Sequence, residues 1–156
     1  MVSFLKTRLG AMMFLQYVIW GAWYVTLNTY LPSTLKFSGT EAGAVFGTTA
    51  LASLVAPFLV GLIADRLFAT ERVLAALYAL GALFLLLATQ VTSFGAVYLV
   101  LLAFCLCYFP TIALTNSITM QQVADPGREF PKIRMLGTIG WIVIGFVVGY
   151  LRVEAG

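Results

Sequence analysis

The chain has 156 residues, of which 62% are hydrophobic and only 10% are charged. A soluble domain is about half apolar and about a quarter charged, so this composition excludes a water-soluble fold and predicts an integral membrane protein. The formal charge of +3 comes from sparse side chains between apolar runs, so no nucleic-acid partner is expected. There is no histidine, and Cys105 and Cys107 lie in an apolar run without metal-site spacing, so no cofactor or metal is expected.

Five apolar stretches are long enough to cross the hydrocarbon core, which needs roughly 20 residues per helix. Each is predicted to be a helix, because lipid leaves no backbone polar group without an internal partner and no stretch alternates with period two. The predicted spans are about 9–31, 41–63, 72–91, 96–119 and 134–151. The first run is too long for a signal peptide, so it is predicted to be a retained membrane helix.

The polar linkers carry the signals that end and begin helices. Pro32 is expected to stop the first helix, and Ser38 with Glu41 fits a capping box for the second. The segment 121–132 is the longest polar stretch and is predicted to be the loop before the fifth helix.

The basic residues indicate how the chain is oriented in the membrane. The N-terminus and the loops after the second and fourth helices hold seven of them: Lys6, Arg8, Arg66, Arg72, Arg128, Lys132 and Arg134. The opposite side holds two, Lys36 and Arg152. The positive-inside rule therefore predicts a cytoplasmic N-terminus and places Gly156 on the far side.

The first helix carries a polar and aromatic stripe. Gln16, Trp20, Trp23 and Tyr30 recur at helical spacing and fall within about 80° of one face. Such a stripe suits the lining of a cavity, with an amide for hydrogen bonding and rings for stacking. Helix packing with an interfacial aromatic belt is the alternative, and it fits Tyr30 best.

The fourth helix carries a second polar stripe, formed by Tyr108, Thr111, Thr115 and Thr119, with Asn116 further round and Pro110 as an expected kink. Threonine in a membrane helix often bonds its own backbone or joins helices, so a structural role is as well supported as a functional one. Asn116 is different, because a buried amide needs partners.

The fifth helix begins with a cation and continues with a hydroxyl and a ring on the same face. Arg134, Thr138, Trp141 and Gly145 lie within about 60° of one another. Arg134 could be a membrane anchor on the cytoplasmic side. Alternatively this face lines an aqueous cavity, where the three side chains would suit a polar, planar solute. No acidic residue lies in the middle of a span, so a proton-carrying carboxylate is expected elsewhere.

Glycines at a spacing of four predict close helix packing in two of the spans. Gly39, Gly43 and Gly47 form one such series, and Gly145 and Gly149 form another. Small residues at this spacing let two helix backbones approach each other.

The loop after the second helix resembles the signature loop of the major facilitator superfamily. The stretch "GLIADR" (61–66) and the following residues match that pattern at Gly61, Asp65, Arg66 and Arg72. The second glycine and the paired terminal basic residues of the pattern are missing. Gly61 is expected to allow a close helix approach, and this loop to take part in conformational change.

Three longer stretches resemble the bacterial nucleoside:proton symporters of that superfamily. They are "FLQYVIWGAWYVTLNTYL" (14–31), "YFPTIALTNSI" (108–118) and "FPKIRMLGTIGW" (130–141). The resemblance implies that Arg134 and Thr138 contact nucleoside and that Trp141 replaces a phenylalanine. Gln16, Trp20 and Asn116 match family positions and are included among the candidate substrate-binding residues.

The resemblance also implies a fold and a function. The expected fold is a twelve-helix transporter, with this chain as the first five helices of its N-terminal six-helix bundle. The expected function is nucleoside uptake by proton symport with alternating access in the bacterial inner membrane, with the remaining half and the lipid as partners. The alternatives are a permease for another polar solute, such as a sugar or drug, and a small non-transporting membrane subunit. An enzyme is not expected.

Overall fold

The computed structural model describes residues 2–64 and 70–151 of the protein. Its described backbone forms helices joined by short linkers: α1 (Val2–Ser33), α2 (Gly39–Ala64), α3 (Thr70–Ala88), α4 (Phe94–Gln122) and α5 (Pro126–Leu151). The all-α fold predicted from the sequence is therefore confirmed. Each helix contains one of the predicted spans or most of it.

Two helices begin well before the predicted spans. α1 begins at Val2, although its apolar run starts near Leu9, and α5 begins at Pro126 although its apolar run starts near Arg134. The prediction of a loop over 121–132 is wrong for most of that segment. Hydrophobicity marks the part of a helix that meets lipid, whereas the helix itself continues into water as far as its capping residues allow.

The start of α5 shows why the helix extends so far. The Arg128 N–H donates to Oδ1 of Asp125 at 3.2 Å, and the Glu129 N–H donates to the Asp125 carbonyl at 2.8 Å. Asp125 is thus the N-cap, and Pro126 occupies the first helical position, where its missing N–H costs nothing. An Asp-Pro pair is a known start signal, so the sequence contained the information.

The capping box predicted for α2 is confirmed. The Glu41 carboxylate accepts hydrogen bonds from the Ser38 N–H and hydroxyl, both at 2.8 Å, and the Glu41 N–H donates to Ser38 Oγ at 3.3 Å. This reciprocal pair satisfies donors that the first turn would leave open.

Among the described residues, α2, α3, α4 and α5 are long and apolar enough to cross a membrane. α1 is not among these four, because Gln16, Asn28 and several tryptophan and tyrosine rings lower its hydropathy. Its 32 residues extend about 48 Å at 1.5 Å per residue, more than the roughly 30 Å of a hydrocarbon core.

The chain divides into two compact units. The first contains α1, the end of α4 from Thr115 and α5, and the second spans Leu35–Leu114. In the second unit, Thr48 Oγ1 of α2 lies 3.7 Å from the Cys105 sulfur of α4. A Cβ built on Gly81 of α3 would rest 3.8 Å from the Phe104 ring of α4, which is ordinary contact. α4 is therefore the helix against which α2 and α3 pack.

In the first unit, α1 packs along α5 through glycines that the sequence analysis did not single out. A Cβ on Gly140 would lie 2.5 Å from the Phe14 carbonyl oxygen, and one on Gly10 would lie 2.6 Å from Leu136 Cδ1. At one end the pair closes over a cluster of buried apolar residues, namely Leu9, Met13, Val123 and Ile133. At that end Lys6 Nζ also pairs with Glu129 Oε1 at 2.8 Å.

The glycine series predicted to pack closely do not do so within the described residues. A Cβ built at any of these positions would meet no described atom within 4 Å: Gly39, Gly43, Gly47, Gly145 and Gly149. Spacing alone could not distinguish them from the glycines of the α1–α5 contact, because the distinction depends on which face meets a neighbour.

Candidate functional site

All six candidate substrate-binding residues lie in the first unit. Gln16 and Trp20 are on α1, Asn116 is on the last turns of α4, and Arg134, Thr138 and Trp141 are on α5. The loop motif is different: Asp65 and Arg66 lie outside the described residues. Gly61 and Arg72 are described and exposed, and a Cβ on Gly61 would meet no described atom within 4 Å, so the expected close approach is not found there.

Arg134, Thr138 and Trp141 occupy one flank of α5, beside the face that packs on α1. That packing face carries Gly137 and Gly140, which are buried. Arg134 and Trp141 are half-buried at its edge, and Thr138, about 100° round from Gly137, is exposed. The flank therefore extends from the α1–α5 contact toward the exposed side of α5, where the Thr138 hydroxyl lies.

The Arg134 guanidinium lies over an aromatic ring of α1. Its Cζ is 4.1 Å from the centroid of the Tyr17 ring, well within the range of a cation–π contact. Among the described residues no carboxylate lies within salt-bridge distance of Arg134. A guanidinium has five N–H donors in its plane, so donors remain for a bound solute while the face of the group rests on the ring.

Trp141 completes an aromatic cluster with two rings of α1. Its ring centroid lies 5.3 Å from that of Trp20 at an interplanar angle of 88°, and 6.0 Å from that of Tyr24 at 50°. A Cβ built on Gly21 would lie 2.5 Å from Ile144 Cγ2, so the glycine leaves room for Ile144, while the Trp141 indole would be in ordinary contact at 3.5 Å. Edge-to-face contacts of this kind fix ring orientation.

The other candidates on α1 are more deeply buried. Gln16 is 1% exposed and Trp23 is 8% exposed, whereas Trp20 is half-buried. Gln16 and Trp23 lie further round α1 than Trp20, away from the Tyr17 and Tyr24 rings that meet α5. Of the α1 stripe, Trp20 directly contacts the α5 flank through its ring contact with Trp141.

On α4, two threonines of the polar stripe donate to carbonyls of their own helix. Thr111 Oγ1 donates to the Tyr108 carbonyl at 2.5 Å, and Thr119 Oγ1 donates to the Thr115 carbonyl at 2.8 Å. These bonds support the structural interpretation of the stripe. Asn116 differs, because its Oδ1 is buried without a hydrogen-bond partner among the described residues. Leaving a buried acceptor without a hydrogen bond costs folding free energy.

Sequence reasoning missed Tyr17, Tyr24 and Gly137 as parts of this site. Tyr17 and Tyr24 are spaced seven apart with Trp20 between them, which is the same helical periodicity that singled out the neighbouring stripe. Gly137 lies between Arg134 and Trp141 in the sequence and leaves space for the Tyr17 ring and the Arg134 guanidinium. Neither the spacing of the tyrosines nor the position of the glycine identifies the partner helix. The contacts between α1 and α5 are therefore evident only from the three-dimensional structure.

Helices long and apolar enough to cross a membrane, together with a cation beside aromatic rings on the α5 flank, are features expected of a membrane transporter. The chain belongs to the family described as nucleoside H+ symporter, whose model matches residues 3–155. YegT of Escherichia coli strain K12 is 48% identical over 144 residues, which cover 92% of this chain and 34% of YegT.

Two further relatives agree. The xanthosine permease of the same organism is 38% identical over 151 residues, covering 94% of this chain and 36% of that protein. A crystal structure of the nucleoside transporter NupG superimposes with a TM-score of 0.90 at 38% identity, covering 96% of this chain and 38% of that one.

These matches bear out the family and the fold predicted from the sequence. The chain is a multi-pass protein of the bacterial inner membrane, and the relatives are named as transporters and permeases, not as enzymes. It spans about a third of the length of the relatives it matches.

Proposed function

We propose that this chain forms part of a transporter that takes up nucleosides together with protons by alternating access. The observation that carries the proposal is the α5 flank, where the Arg134 guanidinium lies beside an aromatic cluster and has no carboxylate within salt-bridge distance among the described residues. A nucleoside offers matching chemistry, namely hydroxyl and carbonyl acceptors on one side and a flat base on the other. The family description and the names of NupG and the xanthosine permease support the same substrate class.

The proposed roles follow from the chemistry of each side chain. Arg134 donates hydrogen bonds to the sugar or base, Thr138 contributes a hydroxyl from the open side, and Trp141 stacks on the base. Trp20 supports the Trp141 ring through their contact at 5.3 Å. The amides of Gln16 and Asn116 are further candidates, and the buried, unsatisfied Oδ1 of Asn116 is suited to accept a hydrogen bond.

The proton-coupling group is proposed to lie elsewhere in the transporter. The carboxylates among the described residues are Glu41, Glu71, Asp125 and Glu129. Each lies in the first turn of a helix or immediately before it, near the aqueous boundary. A carboxylate that carries a proton across the bilayer is expected at midplane depth, so the remaining half of the transporter is the proposed partner.

Uptake of labelled uridine and adenosine by the full-length protein tests this proposal. The account predicts uptake that falls when a protonophore removes the proton gradient. Arg134→Ala is expected to abolish uptake while leaving membrane expression intact, because no other described cation borders the aromatic cluster. Arg128→Ala, an exposed arginine in the first turn of the same helix, is the matched control and should retain uptake.

Two outcomes would overturn the assignment. Normal nucleoside uptake by Arg134→Ala would return Arg134 to the role of a membrane anchor. Uptake of a sugar or drug without nucleoside uptake by the wild-type protein would establish a permease for a different solute.

A further inference from the structure

The Tyr17 ring is in direct contact with the Arg134 guanidinium. The ring is 7% exposed, and the Arg134 Cζ is 4.1 Å from its centroid. The ring is itself braced by Trp20, whose centroid is 5.6 Å away at an interplanar angle of 41°. We infer that Tyr17 is a positioning residue of the substrate site: it holds Arg134 against α1 so that the guanidinium edge is presented to the solute. This inference rests on the proposed function.

Arg134 needs such a support because of its place in the helix. It lies in the third turn of α5, close enough to the helix start for its long side chain to extend toward water instead of across the helix contact. The electron-rich face of the Tyr17 ring attracts the cation sideways. Stacking occupies the face of the guanidinium and leaves its in-plane donors available, which a lysine ammonium could not reproduce.

Gly137 makes room for this arrangement. A Cβ on Gly137 would lie 2.6 Å from Tyr17 Cδ2 and 3.2 Å from Arg134 Nη1. A side chain at this position would therefore displace both the ring and the guanidinium. Tyr17, Gly137 and Arg134 form one packing unit, and changes at the first two are expected to act through the third.

The test compares two substitutions of Tyr17 in the full-length transporter, with uridine uptake measured over a range of concentrations. Tyr17→Leu removes the ring and is expected to raise KM by about tenfold, with kcat much less affected. Tyr17→Phe retains the ring without the hydroxyl and is expected to raise KM by less than about threefold. Tyr150→Leu is the matched control, because Tyr150 is 88% exposed at the end of α5, and it should leave KM unaltered.

A second measurement separates positioning from general packing. In an Arg134→Lys background the stacked guanidinium is already lost, so adding Tyr17→Leu should raise KM by less than about twofold further. Gly137→Ala should raise KM in the wild-type background and add similarly little in Arg134→Lys.

The outcomes distinguish the inference from the function on which it rests. Absence of uridine and adenosine uptake by the wild-type protein would contradict the proposed function. Wild-type uptake with an unaltered KM in Tyr17→Leu would overturn the role of Tyr17 alone. So would equal losses in Tyr17→Leu and Tyr17→Phe, or full additivity with Arg134→Lys, since both would mean that Tyr17 does not act through its ring on the guanidinium.

Discussion

Trp141 is the candidate substrate-binding residue at which this chain departs from the family pattern implied by the resemblance. Its indole is larger than the phenylalanine expected there, and its orientation is set by the edge-to-face contact with Trp20. A larger ring gives a broader stacking surface and leaves less space beside it. The residue therefore combines a proposed role, stacking on the base, with a ring larger than the resemblance implies.

Substituting Trp141 should separate these two properties. Trp141→Leu is expected to raise the KM for nucleosides by about tenfold or more, because stacking a base on an aromatic ring contributes about 1–3 kcal/mol. Trp141→Phe should retain a KM within about threefold of wild type while altering the ratio of purine to pyrimidine uptake. Competition of unlabelled nucleosides against labelled uridine measures both effects. A Trp141→Leu variant with wild-type affinity would show that the ring does not meet the base.

Spacing on one helix was enough to select Arg134, Thr138 and Trp141 from the sequence, because residues at three and four positions share a face. It was not enough to find Tyr17, whose importance comes from the helix that packs against it. Periodicity describes one element at a time, whereas a cation–π contact between α1 and α5 depends on how two elements meet.

At the scale of elements, the α1–α5 contact depends on a few glycines. The Gly140 hydrogen faces the Phe14 carbonyl, and a Cβ would come within 2.5 Å of that oxygen, which belongs to the backbone and cannot rotate away. The two helices must therefore separate if Gly140 is replaced. Gly149, on the same helix, has no described atom within 4 Å of the corresponding position.

This difference predicts opposite effects of the same substitution. Gly140→Ala should destabilise the protein by about 1–3 kcal/mol through overpacking. Gly149→Ala should be neutral or stabilising by up to about 1 kcal/mol, because alanine favours the helix more than glycine does. Thermal unfolding of the purified full-length protein in detergent compares the two. Equal melting temperatures would mean that α1 and α5 do not pack closely through Gly140.

The sequence predicted the existence of the helices better than their ends. Apolar runs predicted all five described helices, of which four are apolar enough to cross a membrane, and the Ser38–Glu41 pair located the start of α2. The start of α5 at Pro126 was missed, although the Asp125 cap that fixes it is local and readable. The charged residues of this segment, such as Arg128, were interpreted as a loop. Outside the hydrocarbon core, however, charged residues are compatible with a helix.

At the scale of the whole molecule, we propose that the chain supplies one wall of the substrate cavity of a transporter. The flank of α5 is open at Thr138 in the described structure, and the chain covers about a third of its relatives' length. The remaining wall is proposed to come from the other half. The cytoplasmic position of the N-terminus, expected from seven basic residues against two, remains a prediction about the same full-length protein.

The proposed function depends most on whether the α5 flank faces a water-filled cavity that holds nucleoside. Cysteine accessibility in the full-length protein, with Cys105 and Cys107 replaced by alanine, measures this directly. Thr138→Cys should react with a water-soluble thiol reagent, and uridine should slow that reaction. Ile139→Cys is the matched control: Ile139 is 41% exposed but about 100° further round the helix, and its reaction should be slow and insensitive to uridine. Unreactive Thr138→Cys, or reactivity that uridine does not alter, would contradict the account.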